Sequence, residues 1–192
     1  MASFTIFGDG NMGTAIADVL TTGGATVDHI TTADQGAGTV TGDIVILAVP
    51  YPALQEIVRA YGDQLAGKTV VDITNPVNFE TFDSLTVPAD SSATAELAAA
   101  LPSSKVLKAF NTTFATALAT KTLGPNPTTV LIAGDDADAK AVLATALTAG
   151  GIEALDVGSL RRARELEAIG FQQVSLAVTE KLSWTGGFAL VR

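Results

Sequence analysis

Short apolar runs alternate with segments of helical periodicity along most of this chain. The runs predict β-strands, and the run over 43–49 is apolar almost throughout before it stops at Pro50. Runs of this kind are typical of strands that are covered on both faces in a parallel sheet. The predicted strands span 4–7, 25–30, 43–49, 68–73, 105–110, 128–133 and 153–157.

Segments with apolar residues at helical spacing lie between these runs. In the first of them Met12, Ile16 and Val19 fall on one helix face, and the glycine pair at 23–24 marks the point where a helix can end. Ser91 or Ser92 is expected to cap the third helix. The predicted helices span 12–22, 51–61, 93–101, 135–149 and 160 to about 183.

This alternation predicts an α/β fold of the Rossmann type, a doubly wound parallel sheet in a three-layer arrangement with right-handed crossovers and a long C-terminal helix. The chain has 192 residues and no stretch with the composition of a linker. We therefore expect a single NAD(P)-binding domain over 1–192, in which residues 158–192 form a C-terminal helical extension.

A glycine-rich loop follows the first predicted strand. Gly8, Gly10 and Gly13 form a Gly-x-Gly-x-x-Gly pattern where that strand turns into the first helix. In dinucleotide-binding folds the first glycine permits a tight turn, the second lets the backbone approach a pyrophosphate, and the third lets the helix pack on the sheet. The helix start also offers free N–H groups and the positive end of its dipole. The pattern predicts a dinucleotide site, with a glycine-rich turn that binds no ligand as the alternative.

The end of the second strand bears on which dinucleotide binds. An acidic residue there binds the ribose hydroxyls of NAD, whereas small polar or basic residues accommodate the 2′-phosphate of NADP. Thr31 and Thr32 offer two hydroxyls, which favours NADP. Asp34 could still reach a ribose, so NAD stays possible. His29, the only histidine, is expected to pack or hydrogen-bond at the strand end.

The later strands end in further candidate ligand contacts, because ligands of open parallel sheets bind beyond the carboxyl ends of the strands. Pro50 and Pro76 stiffen two of these turns, and a rigid wall suits a flat ring stacked against it. The alternative is that strand ends need turn residues whether or not a ligand binds. The predicted contacts in these turns are Ala48, Val49, Pro50, Asn75 and Pro76.

Composition excludes several classes of partner. The net charge of −9 argues against nucleic acid and anionic membranes, and the absence of cysteine excludes disulfides and thiolate metal sites. No HExxH motif or pair of histidines suggests a metal. No apolar run reaches the ~20 residues of a membrane-spanning helix, and no secretory signal is recognised at the start. The expectation is a cytoplasmic protein.

The sequence contains no evident general acid or base. It has no Tyr-x-x-x-Lys motif, and its one histidine lies on the wrong segment for a His–carboxylate pair. Hydride transfer needs no such group when both reacting rings carry the chemistry, since the protein then aligns the rings and excludes water.

An ordered set of motifs carries a resemblance to a known family. The set looks like the NADPH-dependent deazaflavin (coenzyme F420) reductases, and it also resembles the reductase domain of the six-transmembrane epithelial antigen (STEAP) metalloreductases. The motifs are Gly-x-Gly-Asn-Met-Gly (8–13), Ile-Leu-Ala-Val-Pro-Tyr (46–51), Val-Asp-Ile-Thr-Asn-Pro (71–76), Val-Leu-Lys-Ala-Phe-Asn-Thr (106–112), Ile-Ala-Gly-Asp-Asp (132–136) and Asp-Val-Gly-Ser-Leu (156–160).

The resemblance implies hydride exchange between NADP(H) and a small flavin-like acceptor, with a flavin or deazaflavin as co-substrate, in a homodimer. It places the pyrophosphate on Gly10, Asn11, Met12 and Gly13, and lays the dinucleotide along Val49 and Pro50. It assigns Ala109, Phe110 and Asn111 to the place where the nicotinamide meets the flavin ring. Asn111 is the implied catalytic residue, and it stands where the deazaflavin enzymes tend to carry a histidine.

Two other functions are compatible with the same loop. One is a dinucleotide-binding sensor without turnover, which the short catalytic inventory allows. The other is a reductase of a small carbonyl or imine substrate, although ~30 residues after Gly158 are too few for the helical domain that such enzymes append.

Arg161, Arg162 and Arg164 form the basic cluster of this acidic chain. We expect a solvated first turn of the last helix in which they pair with Glu165 and Glu167. The alternative is contact with a flavin tail or a 2′-phosphate.

Overall fold

The computed structural model describes residues 2–34 and 36–191, and a seven-stranded sheet forms its centre. The strands are β1 (Ser3–Phe7), β2 (Thr26–Ile30), β3 (Ile44–Leu47), β4 (Thr69–Asp72), β5 (Lys105–Lys108), β6 (Thr122–Leu123), β7 (Asn126–Pro127), β8 (Thr129–Gly134) and β9 (Glu153–Gly158). The sheet has the order β2-β1-β3-β4-β5-β8-β9, while β6 and β7 pair with each other as a small hairpin. The Rossmann-type α/β prediction is confirmed.

Helices cover both faces of the sheet and produce the three layers. They are α1 (Asn11–Thr22), α2 (Leu54–Leu65), α3 (Ala93–Ala100), α4 (Ala115–Thr120), α5 (Ala137–Ala149) and α6 (Ala163–Val178). One buried cluster joins α1, α4 and α5 to the sheet through residues such as Ile16, Leu118 and Leu143. A second cluster joins α2 and α3 to the other face through Ile57 and Leu97. β3 and β4 are buried along their whole length, so their apolar runs reflect coverage on both faces of the sheet, as the sequence predicted.

The sheet departs from the all-parallel prediction at one strand pair. β1 to β5 are parallel to their neighbours, as are β8 and β9, but β8 runs antiparallel to β5. After β5 the chain forms α4, which packs on α1, and then the hairpin. It therefore enters β8 from the side where β5 ends. We call the edge where β1 to β5 end the carboxyl edge, and the opposite one the amino edge.

The last helix is shorter than predicted. α6 ends at Val178 rather than at about 183, because Glu180 adopts a left-handed backbone conformation with φ of 57°. The amides of Lys181 and Leu182 then fold back onto the carbonyl of Leu176. The segment after α6 is a turn, and Trp184 in it rests against Phe114 with ring centroids 5.0 Å apart.

Two of the helices, α3 and α5, begin at a side chain that caps them. Ser92 is the N-cap of α3 and accepts a hydrogen bond from the amide of Ala95 at 3.0 Å, which selects it over Ser91. Asp136 caps α5 in the same way. α2 begins three residues later than predicted, after a 3₁₀ turn at Tyr51–Ala53.

Within the described residues no helix is long and apolar enough to cross a membrane.

Candidate functional site

The glycine loop leads from β1 into α1 at the carboxyl edge, and its three glycines have different surroundings. Gly8 has φ of 99°, and a side chain there would clash with the carbonyl oxygen of Ala48. A side chain at Gly13 would clash with the carbonyl oxygen of Gly8. A Cβ added at Gly10 would meet nothing within 4 Å. The first and third glycines are therefore required by packing, whereas the second leaves open space above the loop.

The start of α1 faces this open space. Gly10 is the N-cap, and no side chain in the described parts of the chain caps the helix. The first intrahelical hydrogen bond runs from Thr14 N to Gly10 O at 2.9 Å. The amides of Asn11 and Met12 precede it and therefore have no acceptor within the helix. Unpaired N–H groups and the positive end of the helix dipole attract an anion. The loop therefore has the room and the donors that a pyrophosphate needs, although the chain as a whole is acidic.

The end of β2 is organised around Asp34 and His29. The carboxylate of Asp34 accepts hydrogen bonds from the amide of Thr31 at 2.7 Å and from its hydroxyl at 3.2 Å. His29 donates from Nδ1 to the carbonyl of Gly8 at 3.0 Å, which agrees with its predicted role at the strand end. Thr32 is exposed beside them. Asp34 is thus engaged with its own turn, while Thr32 is accessible.

The turn after β3 supplies the next part of the carboxyl edge. Ala48 donates its amide to the carbonyl of Phe7 at 2.9 Å, which keeps this turn against the glycine loop. Val49 is half-buried and Pro50 is exposed, so both have surface facing solvent at the edge. Tyr51 follows, and its hydroxyl donates to Glu96 at 2.6 Å. Burial, reinforced by this hydrogen bond to a carboxylate, raises the pKa of Tyr51 to about 12.

The turns after β4 and β5 are joined by a pair of asparagines. Asn111 Nδ2 donates to Asn75 Oδ1 at 2.9 Å and to the carbonyl of Leu166 at 2.8 Å, and Asn75 Nδ2 donates to the carbonyl of Asn111 at 2.9 Å. Asn111 is 6% exposed. Pro76, beside Asn75, is buried. These bonds bring together two predicted site residues that are far apart in the sequence and attach both to α6.

Phe110 and Ala109 lie differently from what the resemblance implied. Both side chains are fully buried in the core, so a bound ring could meet only their backbone. Phe110 has φ of 64°, a left-handed conformation that costs about 1–2 kcal/mol for a residue with a side chain. This turn directs the next residue, Asn111, away from the line of β5.

Two buried polar atoms at the carboxyl edge are left without a partner in the described part of the chain. They are Thr74 Oγ1 and Asn111 Oδ1. A buried polar atom without a hydrogen bond costs about 1–3 kcal/mol, so such atoms are rare and often mark a ligand or water contact. Both Nδ2 hydrogens of Asn111 are already used, so any further hydrogen bond of this side chain would be accepted by its Oδ1.

A buried ionic cluster lies directly beneath these turns, and the sequence analysis missed it. Lys108 Nζ lies 2.9 Å from Asp72 Oδ2 and 3.0 Å from Glu167 Oε1, and all three side chains are almost fully buried. Lys108 also donates to the carbonyl of Thr74. The available signal was an aspartate and a lysine in two otherwise apolar strands, β4 and β5. Glu167 lies in a charged stretch of α6, and no local spacing relates it to the other two.

The cluster also anchors the start of α3. Glu167 accepts hydrogen bonds from the amides of Ala93 at 3.0 Å and Thr94 at 3.3 Å, and the hydroxyl of Thr94 donates to Asp72 at 2.7 Å. Burial raises the pKa of Glu167, although Lys108 and the amides oppose this effect. The ammonium and the two carboxylates thus connect β4, β5, α3 and α6 behind the asparagine pair.

The basic cluster lies at the opposite edge. In the 3₁₀ turn Leu160–Arg162, the amide of Leu160 donates a hydrogen bond to Asp135 at 2.9 Å. The next residue, Asp136, forms an ion pair at 3.0 Å with Lys105, the first residue of β5. The arginines therefore lie toward the amino edge, away from the glycine loop. Arg162 pairs with Glu165 at 3.3 Å as expected, whereas the predicted pairing with Glu167 is wrong because Glu167 points inward to Lys108.

The chain was compared with known proteins. A family model described as "NADP oxidoreductase coenzyme F420-dependent" matches residues 29–76. The chain is 32% identical over 149 residues to the F420-dependent NADP reductase of Methanocaldococcus jannaschii, which covers 76% of this chain and 66% of that protein. It is 41% identical over 107 residues to the metalloreductase STEAP3 of Rattus norvegicus, covering 56% of this chain. This chain thus spans 66% of the first relative's length and 21% of the second's.

Solved structures show the same fold. One of them, from Arthrobacter sp. FB24 and described as an F420-dependent NADP reductase, superimposes with a TM-score of 0.83 over 100% of both chains at 23% identity. A hypothetical protein from Sinorhizobium meliloti gives a TM-score of 0.68 at 26% identity, over 83% of this chain and 86% of that one. The first likeness, at this level of identity, establishes the fold alone.

Proposed function

Because this chain belongs to the family of F420-dependent NADP oxidoreductases, we propose that it transfers hydride between NADP(H) and a flavin or deazaflavin acceptor. The observation that carries the proposal is the glycine loop, where the uncapped start of α1 faces open space above Gly10.

The residues present fit a dinucleotide laid across the carboxyl edge. Gly10, Asn11, Met12 and Gly13 would hold the pyrophosphate through the start of α1. Gly8 would shape the turn beneath it, since its amide donates to the carbonyl of Ile30 at 2.8 Å. The adenosine would lie at the end of β2, at Thr31 and Thr32. The nicotinamide end would lie along the turns after β3 and β4, which contribute Ala48, Val49, Pro50, Asn75 and Pro76.

NADP is the proposed dinucleotide, with NAD as the alternative. The exposed hydroxyl of Thr32 can donate to a 2′-phosphate. Oδ2 of the Asp34 carboxylate accepts hydrogen bonds from Thr31, so this carboxylate is oriented toward its own turn. The name of the archaeal relative specifies NADP as well.

Asn111 is the proposed catalytic residue. Its buried Oδ1 has no hydrogen-bond partner among the described residues, while its Nδ2 is fixed by Asn75 and Leu166. We assign Oδ1 to accept a hydrogen bond from the carboxamide of the nicotinamide, which would fix the rotation of that ring. Ala109 and Phe110 would contribute backbone contacts and shape, since their side chains belong to the core.

The chain's contribution to the reaction is alignment and exclusion of water. A bound reduced dinucleotide would supply a hydride, two electrons with one proton, to the acceptor ring, and the reduced acceptor would take up its second proton from solvent. Rigid positioning of two reactants lowers the barrier without an acid or base. The asparagine pair and the proline turns are the rigid parts available for this purpose.

We also propose that residues 1–192 act as one dinucleotide-binding domain in a homodimer. Support comes from exposed apolar side chains in the C-terminal segment, where Trp184 is 53% and Phe188 is 50% exposed. Large exposed apolar side chains that lie together often belong to an interface. Light scattering coupled to gel filtration, repeated with Trp184→Ser, would test this assignment.

The test of the function is a titration of the purified protein with NADPH and with NADH, followed by nicotinamide fluorescence. FMN, riboflavin or a deazaflavin is then added to the complex. Tight NADPH binding followed by its oxidation supports the proposal and identifies the acceptor class. Binding without oxidation of NADPH would favour a sensor, and oxidation by an imine or carbonyl compound instead would favour the other reductase class. Failure to bind either dinucleotide would refute all three functions.

A further inference from the structure

A cavity of about 730 Å³ lies between α2 and α3, on the face of the sheet opposite α1. Its walls are apolar, with Leu54 and Val58 on α2 and Leu97 and Ala100 on α3. The segment after β4 forms its rim, where Phe79 is 59% exposed. We call it the α2–α3 cavity. Its volume falls within the range of about 300–1,000 Å³ that is typical of small-molecule sites.

The cavity adjoins the proposed nicotinamide end of the site. Tyr51, which lines it, directly follows Pro50, and Val77, which also lines it, directly follows Pro76. Both prolines belong to the turns that we assign to the dinucleotide. The cavity therefore lies beside the same carboxyl edge, and a ligand inside it would adjoin a nicotinamide bound there.

The polar groups of the cavity are unevenly distributed. The acidic side chain of Glu96 accepts the hydroxyl of Tyr51 at 2.6 Å and is thus engaged across the opening. Arg59 stands exposed at the rim, held by its Nε, which donates to the carbonyl of Gln55 at 3.3 Å. Among the residues that the structure describes, Arg59 makes no ion pair, so its guanidinium is available to an anion.

We propose that the α2–α3 cavity is the acceptor pocket, taking a flat flavin or deazaflavin ring between α2 and α3 with its anionic tail at Arg59. Apolar walls on two sides suit a fused ring, and the exposed ring of Phe79 offers a stacking surface at the rim. An arginine without an ion pair in a chain of net charge −9 complements a phosphate. This inference rests on the proposed function, because it assigns a site to that function's acceptor.

The test is a direct titration of FMN and of riboflavin with the purified protein. Quenching of flavin fluorescence reports binding, so the measurement needs no catalytic turnover. Ala100→Trp fills the cavity from α3 and should weaken binding of both flavins by about tenfold or more, whereas Ala99→Trp, its exposed neighbour outside the cavity, should not. Gln55→Trp fills the cavity from α2 and covers the case that Ala100→Trp does not fold. Unchanged NADPH affinity in each variant shows that the fold is intact.

Arg59→Gln tests the binding of the phosphate tail separately from that of the flavin ring. It should weaken FMN about three- to tenfold and leave riboflavin unchanged, because only FMN carries a phosphate. Lys181→Gln, which removes an exposed positive charge that does not line the cavity, is the matched control and should affect neither flavin.

The outcomes distinguish this proposal from the proposed function. Flavin binding that Ala100→Trp and Gln55→Trp leave unchanged would overturn the pocket, as would a wild-type protein that binds no flavin. Equal effects of Arg59→Gln on both flavins would overturn the assignment of the tail. If flavins bind in the cavity and NADPH is still not oxidised, the pocket stands and the hydride-transfer function fails.

Discussion

Gly10 and Gly13 lie three residues apart in the glycine loop, yet a side chain would meet different surroundings at the two positions. At Gly10 it would enter open space at φ of −69°, which any residue can adopt. At Gly13 it would meet the carbonyl of Gly8. Binding and folding can therefore be separated at this loop by single substitutions.

We predict that Gly10→Val folds like the wild type but loses NADPH binding, because its side chain occupies the space proposed for the pyrophosphate. Gly13→Ala should instead lower the free energy of unfolding by about 1–3 kcal/mol through overpacking. Urea denaturation and NADPH titration of both variants check the two effects. Wild-type affinity in Gly10→Val would contradict the assignment of the loop.

Thr32 allows a test of dinucleotide choice. Thr32→Glu places a carboxylate where we propose the 2′-phosphate, so NADPH affinity should fall by about tenfold or more while NADH affinity is kept or improved. The ratio of the two dissociation constants is the measurement. Thr22→Glu, at the exposed end of α1 and on the amino edge, is the control, and a ratio that moves equally in both variants would show a nonspecific charge effect.

At the level of elements, the buried cluster joins two strands and two helices that no local interaction connects. Lys108 faces two carboxylates, and the Glu167 carboxylate also receives the first amides of α3. Removing one partner from a buried ion pair leaves an uncompensated charge, which costs more than an exposed pair contributes. The packing of α3 and α6 behind the asparagine pair therefore depends on Lys108.

We predict that Lys108→Met lowers the free energy of unfolding by about 3–5 kcal/mol, because it leaves the buried carboxylates of Asp72 and Glu167 without a compensating positive charge. Lys105→Met, on the same strand, removes a pair whose side chains are 49% and 32% exposed and should change stability little. Urea denaturation of the two variants is the comparison. Equal losses would show that the cluster contributes no more than a surface pair.

The cluster should also make stability depend on pH. The pKa of Glu167 is raised in the folded state, so the folded protein binds its proton more tightly than the unfolded chain. The corresponding stabilisation is complete below about pH 4.5, the ordinary value, and is lost as the pH rises through the raised pKa. Glu167→Gln lacks this titration, so the stability of the wild type relative to Glu167→Gln should fall as the pH rises. A difference independent of pH would refute the raised pKa.

For the whole molecule, ligand binding and folding are coupled. A dinucleotide across the ends of β1 to β5 would contact turns from several elements, and it can bind only the folded chain. NADPH at a hundred times its dissociation constant should add about 2.7 kcal/mol to the free energy of unfolding. For a chain of this size the melting temperature should then rise by roughly 5–10 °C. Thermal melts with NADPH should show this rise in the wild type and none in Gly10→Val.

The sequence by itself determined the features that depend on neighbouring residues. Apolar runs marked the strands because strands such as β3 and β4 are covered on both faces. Helical spacing marked α1, which a glycine pair ends, and a capping serine marked the start of α3. The glycine loop was readable because the spacing of its three glycines is a local pattern. The contact that forbids a side chain at Gly8 comes from Ala48, after another strand, and was not readable. The family motifs followed the strand ends, since ligands of such sheets meet those turns.

Only the tertiary structure decided what depends on contacts between distant segments. Asp72, Lys108 and Glu167 meet because β4, β5 and α6 pack together, and no periodicity reports such a meeting. The antiparallel entry of β8 follows from the path of the chain through α4, and it moves the arginines to the amino edge. The α2–α3 cavity exists because two helices leave space between them. Local patterns encode which face of an element is buried, whereas its partner is chosen by the packing of the whole chain.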